Sequence, residues 1–427
     1  MTTSARIWVP VQAGRDGQQD EFRARVRGVL DGFTADEVAS WEQARHLPMT
    51  AVAAIARQGI FRARWEQGAE GGLSMLVALS QEACQLSSGL ALAVMGHSEM
   101  FIGALTWLAE TASQRALLED ALDGRIVGCF AATEPQGGSD LAGIRSTATR
   151  VAGGWRLRGR KRYVSNLGGA SHVLLLARPD TAGDAGDLGL FIVPVDAPGV
   201  TVERYFDAVG IAACDVGEVS FDTVVPSDAV LGNPGLGMMY ATHLLHFERI
   251  SICAQLLASA ELSLRLAVAY ARRRMVGGAR VFDRQAIRHR LAGCRAELWT
   301  LQGRLAELIA RIERQQGLPA REIAAFKLTS AEAVGRIVDA CLQVCGARGC
   351  MRGFPLERIW RDTRMARLGG GTDEVLADVV ASYLDRPDRS VDEFISEAVE
   401  ADRPAPSVAR GPVRPAAQSP AAGAYSH

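Results

Sequence analysis

The spacing of apolar positions changes twice along the chain. From about residue 20 to 123, apolar residues recur every three or four positions, as in PMTAVAAIARQG, which is the period of an amphipathic helix. The stretch LSMLVALSQEACQLSSGLALAVMGHSEMFIGALTWLAE is apolar almost all round. That pattern predicts helices inside a bundle rather than on its surface. From about 125 to 233 the texture shifts to short runs rich in β-branched and aromatic residues, such as GWRLRGRKRYVSN, SHVLLLARP and LGLFIVPV. They alternate at period two and close on Gly, Asp or Pro, which predicts antiparallel strands. No helical pattern separates them, so a small β-barrel or sandwich is expected rather than βαβ units.

From residue 235 to about 384 long amphipathic helices return, in MMYATHLLHFERISICAQLLASAELSLRLAVAYARRR, AIRHRLAGCRAELWTLQGRLAELIARIERQ and REIAAFKLTSAEAVGRIVDACLQVCG. The expected α+β organisation is an all-α domain over 1–124, a β-domain over 125–234, a helical domain over 235–386 and a tail over 387–427. The tail turns rich in Pro, Ala and Ser and is expected to be disordered from about Arg403.

Composition narrows the function classes. Across 427 residues, 47 Lys and Arg balance 48 Asp and Glu, for a net charge of −1. That excludes whole-chain electrostatic capture of nucleic acid or an anionic membrane. Lys occurs only at 161 and 327, a bias that reads as genome composition. No apolar run looks long enough to span a bilayer. The N-terminus lacks the basic segment and apolar core of a signal peptide. Eight Cys form no CxxC pair and no Cys/His cluster has zinc spacing, so they read as small buried apolar residues and no metal is expected. The expectation is a soluble cytoplasmic protein.

Two stretches carry chemistry. Cys129 to Asp140, CFAATEPQGGSD, combines a strand end, hydroxyls, two Gly and exposed N–H groups. Such a loop cradles an anion or hydrogen-bonds the edge of a planar ring; a polar turn between strands is the alternative. Lys161 to Ala170, KRYVSNLGGA, places Tyr163 and Ser165 two residues apart, on one side of a strand. One can stack on a ring while the other bonds its edge. His243 and His246 share a helix face and read as structural, with His246 near the mouth of any pocket at Glu248. Gly232 to Gly237 lacks a βαβ context and reads as the turn that starts the long helix.

Together these blocks resemble the acyl-CoA dehydrogenase family. The family's first flavin loop, TEPxAGSD, corresponds to Thr133–Asp140, and its flavin strand, KxWITN or KxFITN, to Lys161–Asn166. A third block, QxxGGxGY followed by PERxxRD and EGT, corresponds to Gln343–Cys350, Pro355–Asp362 and Gly370–Thr372. The resemblance runs from about residue 20 to 385. It implies a C-terminal four-helix bundle and FAD between the β-domain and that bundle. By analogy Phe130, Ala132 and Thr133 meet the flavin ring, Ser139 faces the pyrophosphate, Tyr163 packs on the ring and Ser165 bonds near its reactive nitrogen. A neighbouring subunit's Arg274, Gln285, Gln343 and Gly346 would hold the ADP half, with Thr372 near the phosphates, which implies a homodimer or homotetramer.

The resemblance implies α,β-dehydrogenation of an acyl thioester, in which a desolvated carboxylate removes the α-proton. The usual Glu of EGT is Gly370 here. Members resembling isovaleryl-CoA dehydrogenase carry the base on the first long C-terminal helix, before an Arg, and Glu248 with Arg249 occupy that place. The expected base is therefore Glu248. Ser139, Arg249 and Gly370 are expected on the substrate side, with the Gly370 N–H available to the thioester carbonyl. Gly369 to Gly371 open space suited to a bulky, branched or cyclic acyl group, or to an acyl chain on a carrier protein in specialised metabolism. The expected substrate is an acyl-CoA or an acyl carrier protein, and the electron acceptor an electron-transferring flavoprotein or oxygen. A flavin oxidase or monooxygenase of the same fold, or a noncatalytic flavin-binding relative, are the competing readings.

Overall fold

The computed structural model describes residues 17–180, 187–314, 317–384 and 389–401. The first region is helical, as its period requires. It comprises α1 (Gly17–Asp31), α2 (Ala35–Ala44), α3 (Met49–Arg57), α4 (Ile60–Trp65), α5 (Gly68–Gly71), α6 (Leu73–Leu86), α7 (Ser88–Met95), α8 (Gly103–Leu108) and α9 (Ala112–Leu122). Capping boxes fix two starts, Thr34 with Glu37 before α2 and Thr111 with Gln114 before α9. A π-helical stretch, Gly96–Ile102, joins α7 to α8.

The middle region forms β1 (Gly128–Ala131), β2 (Thr147–Val151), β3 (Gly154–Ser165), β4 (His172–Pro179), β5 (Leu188–Pro194), β6 (Val200–Tyr205), β7 (Val216–Pro226) and β8 (Val230–Gly235). They hydrogen-bond in the order β6-β7-β3-β2-β4-β5-β8, with β1 alongside β4. The sheet folds over its own core of Trp155, Leu157, Val173, Leu175, Phe191 and Phe221. It is the sandwich form of the expectation, because β6 and β8 do not pair to close a barrel. The antiparallel expectation fails at two places: β1 and β2 each run parallel to β4. The Gly232–Gly237 string is also not all turn, since β8 runs to Gly235 and the next helix starts at Gly237.

Three long helices follow, α10 (Gly237–Arg273), α11 (Gln285–Glu313) and α12 (Ala320–Cys345), then the shorter α13 (Pro355–Met365) and α14 (Asp373–Ala381). The apolar stripes of α10, α11, α12 and α13 share one core with Leu73, Leu76 and Val77 of α6. Pro355 starts α13 at a position where its missing N–H costs nothing. Asp362 on the same helix accepts from the Ile211 N–H at 2.6 Å, so the PLERIWRD block docks a β-domain loop. A separate unit begins at Ser382. Within it Arg389–Ala401 form a helix. The expectation from Arg403 onward lies outside the described residues.

Two stretches, Ser88–Leu108 and Gly237–Arg273, are long and apolar enough to cross a bilayer, which corrects the reading that no such run exists. In each, most of the apolar window, 83% and 72%, is buried inside the protein, as expected for core helices. Seven Cys are buried, but Cys350 is exposed, against the expectation for all eight.

Candidate functional site

The site begins where β1 ends. Gly128 is required there, because a Cβ would fall 2.0 Å from Cγ of the Phe101 ring. His97 of the π-helical stretch accepts from the Gly128 N–H through Nδ1 and donates from Nε2 to the Ala121 carbonyl, both at 3.1 Å. Burial lowers its pKa to about 4, so the ring is neutral and the two roles are fixed. The helical domain thus sets where β1 delivers the loop.

In that loop Phe130, Ala132 and Thr133 are half-buried and Ser139 is exposed. A Cβ at Gly138 would press on Thr133 Oγ1 at 2.8 Å, so the loop closes only with Gly there. Glu134 points inward and is buried. Its carboxylate accepts from the Arg145 N–H at 2.7 Å, the Ser146 N–H at 2.9 Å, the Ser146 hydroxyl, the Gln136 amide and Lys161 Nζ at 2.9 Å. Lys161 Nζ also donates to the Ala132 carbonyl at 3.1 Å, and the Arg162 N–H donates to the Thr133 carbonyl at 2.9 Å. These bonds tie the loop to β3. Burial lowers the pKa of the Lys161 ammonium. Burial alone would raise the Glu134 carboxyl, but Lys161 and its other donors outweigh it and hold it well below the usual range.

Further along β3 the register slips between Arg162 and Val164. Tyr163 occupies that bulge with φ +58 and is 58% exposed. Trp155, Leu157 and Lys161 are buried on one face of β3, so unbroken alternation would turn Tyr163 inward; past the slip Val164 is buried instead, and Tyr163 and Ser165 share its outer side. The bulge is what turns the Tyr163 ring out, against Phe206 at 4.9 Å between centroids. A left-handed backbone at a large residue is unfavourable and persists only where the surroundings enforce it.

The second half of the site lies on the helical domain. Glu248 of α10 is half-buried. Burial raises its pKa, while the charges of Arg249 and Lys327 and the Gly370 N–H pull it down. Gly370 and Gly371 have φ of +66 and +101, which only glycine adopts freely. A Cβ built at Gly370 would lie 3.9 Å from Glu248 Cγ and 3.2 Å from Ile252 Cδ1. Arg249 is buried, and its Nε donates to the Gly370 carbonyl at 2.8 Å. Lys327 of α12 is fully buried and donates to the Gly371 carbonyl at 2.8 Å. Thr372 accepts from the Val375 N–H at 3.3 Å and so caps α14.

The remaining predicted residues stand apart on the single chain. Arg274 ends α10, Gln285 starts α11, and Gln343 and Gly346 lie at the end of α12; all four are exposed. His243 is half-buried, its ring 4.2 Å from that of Trp107. His246 is buried, and burial lowers its pKa to about 4. Among the described residues, no three His, Cys, Asp or Glu gather as metal ligands. Sequence reasoning missed His97, Glu134 and the two lysines. The lysines had a signal, since they are the only two in the chain.

An outward aromatic at a strained backbone beside a polar loop, and a half-buried carboxyl next to a glycine loop, lie on the middle and C-terminal regions. The comparisons name the family. Residues 16–125, 129–224 and 235–384 match the N-terminal, middle and C-terminal domains of acyl-CoA dehydrogenases. The chain belongs to the acyl-CoA dehydrogenase family. It is 33% identical over 374 residues to the acyl-[acyl-carrier-protein] dehydrogenase MbtN of Mycolicibacterium paratuberculosis, covering 86% of this chain and 94% of that one. It is 33% identical over 307 residues to the human mitochondrial short-chain specific acyl-CoA dehydrogenase, covering 71% and 73%. The acyl-CoA dehydrogenase of Geobacillus kaustophilus superposes with a TM-score of 0.82 at 25% identity, over 88% of this chain and all of that one. The protein is thus an FAD-dependent oxidoreductase acting on the CH–CH bond of an acyl thioester. The site fits that cofactor: Tyr163 and the half-buried Phe130, Ala132 and Thr133 offer an aromatic and backbone surface for a flat ring.

Proposed function

We propose that Glu248 is the base that takes the α-proton of the acyl thioester. The observation that carries this is convergence: a side chain at Gly370 would start 3.9 Å from Glu248 Cγ, so both positions feed the same space. Glu248 replaces the carboxylate that position 370 lacks. Burial raises its proton affinity, while Arg249, Lys327 and the Gly370 N–H keep it ionisable, which suits a general base. When bound, FAD supplies the two-electron acceptor for the β-hydrogen and its bonding pair.

Phe130, Ala132, Thr133, Ser139, Tyr163 and Ser165 would hold the flavin half and pyrophosphate, with Thr372 near the phosphates. Arg274, Gln285, Gln343 and Gly346 would serve the ADP half of a second subunit, and their exposure on one chain supports that reading. The assembly is then a homodimer or homotetramer in the cytoplasm. Ser139, Arg249 and Gly370 belong to the thioester side, Arg249 acting through the Gly370 carbonyl it holds. The acyl group comes on CoA or on a carrier protein, the latter supported by the likeness to MbtN. Electrons leave to an electron-transferring flavoprotein or oxygen. The domain division 1–124, 125–234 and 235–386 belongs to the same proposal.

The test is anaerobic bleaching of the flavin band by a panel of acyl-CoA and acyl-carrier-protein thioesters, with wild type and Glu248→Gln. Bleaching that survives in Glu248→Gln would refute the assignment of the base.

A further inference from the structure

We propose that Lys327 is a positioning residue for Glu248: its buried ammonium, with Arg249, holds the Gly369–Gly371 loop against the Glu248 carboxyl. The proposal rests on Glu248 being the base.

Composition points to this lysine. The chain spends 47 basic residues and uses Lys for two, and both lysines are fully buried. Lys161 is paired with Glu134. Lys327 differs: among the described residues it forms a hydrogen bond to the Gly371 carbonyl at 2.8 Å and ion-pairs with no carboxylate. Burying an ammonium is expensive unless nearby groups repay it, and an apolar side chain would pack inside α12 at less cost.

The loop gives the charge its role. Two consecutive carbonyls, of Gly370 and Gly371, are each taken by a buried cation, Arg249 from α10 and Lys327 from α12. The contacts reach 121 and 44 residues along the chain, so they fix the loop from two sides. Three glycines have no side chains to hold a conformation, and each costs backbone entropy to order. Pinning the carbonyls keeps Gly370 beside Glu248, where a Cβ built on it lies 3.9 Å from Glu248 Cγ. A compact ammonium on a flexible stem can reach one carbonyl in a buried space where a planar guanidinium needs more room.

The charged groups facing this centre are few. Glu248 and Arg249 come from α10 and Asp373 from the start of α14, while Cys253 of α10 is a neutral thiol, its pKa pushed up to about 12 by burial. Arg249, together with Lys327 itself, favours the ionised carboxylate of Glu248.

Difference infrared spectra of the FAD-loaded protein, titrated with pH, follow the Glu248 carboxyl, identified as the band missing in Glu248→Gln. Lys327→Met and Lys327→Gln are compared with wild type. Both are expected to raise the Glu248 midpoint by about one pH unit, the size of effect an adjacent opposite charge has on a carboxylate. Lys327→Gln keeps a donor for the Gly371 carbonyl and serves if Lys327→Met does not fold. A folded, FAD-loaded variant with an unchanged midpoint would overturn the proposal and leave Lys327 a packing residue. Failure of the underlying reading looks different: Glu248→Gln would keep turnover on whichever thioester the wild type oxidises, whatever the Lys327 variants do.

Discussion

Replacing Lys161 by Met should unseat the flavin loop from β3. The ammonium is fully buried and holds two acceptors, Glu134 at 2.9 Å and the Ala132 carbonyl at 3.1 Å. Removing one partner of a buried pair costs about 3–5 kcal/mol, because the other charge stays behind unpaired. Glu134 keeps four other donors, from Arg145, Ser146 and Gln136, which places the loss near the lower end, at about 3 kcal/mol. Adding Glu134→Gln removes the stranded charge and should recover about 1 kcal/mol or more. Denaturant unfolding of the FAD-loaded proteins, followed by the fluorescence of buried Trp155 and its neighbours, reads both values. The pH dependence gives an independent check. The Glu134 carboxyl is held below its unfolded value, so its contribution is present above about pH 4.5 and is lost as pH falls below it. Without Lys161 that acid-side slope should flatten. A loss under about 1 kcal/mol, or an unchanged slope, would refute the argument.

Other predictions concern the base and the ring. Glu248→Gln should lower turnover by about 10²–10⁴-fold while leaving the oxidised flavin spectrum intact; loss of bound flavin instead would mean a structural role. Moving the carboxylate back, as Glu248→Ala with Gly370→Glu, should restore less than about a tenth of the rate. A side chain at φ +66 costs about 1–2 kcal/mol and meets Ile252 Cδ1 at 3.2 Å, so full recovery would contradict this loop geometry. The acid limb of the pH–rate profile should lie above the 4.5 of an ordinary Glu, since net burial raises Glu248; a midpoint at or below that value counts against it. Tyr163→Ala should leave stability within about 0.5 kcal/mol, because the ring is exposed. The same variant should weaken FAD retention by up to about tenfold, measured by equilibrium dialysis, and equal retention would exclude stacking.

The amino-acid sequence dictates the order helix, sheet, helix, and the place of each motif within it. Those follow from local periodicity and turn residues, which act between neighbours in the chain. It also determined that position 370 has no carboxylate and that 248 has one. That the two positions share one space comes from packing, because they are joined through a loop laid on a helix. The same holds for His97 fixing the start of β1, and for Lys161 holding the loop that β1 delivers. Tyr163 shows the limit from the other side. Alternation along β3 would place it on the buried face with Trp155, Leu157 and Lys161, and the bulge that turns its ring outward comes from the register of β3 against β7. The two lysines stood out in composition and read as chance. Their burial against loop carbonyls appears only once helices and strands far apart in the chain are packed, because desolvation and hydrogen bonding depend on neighbours in space.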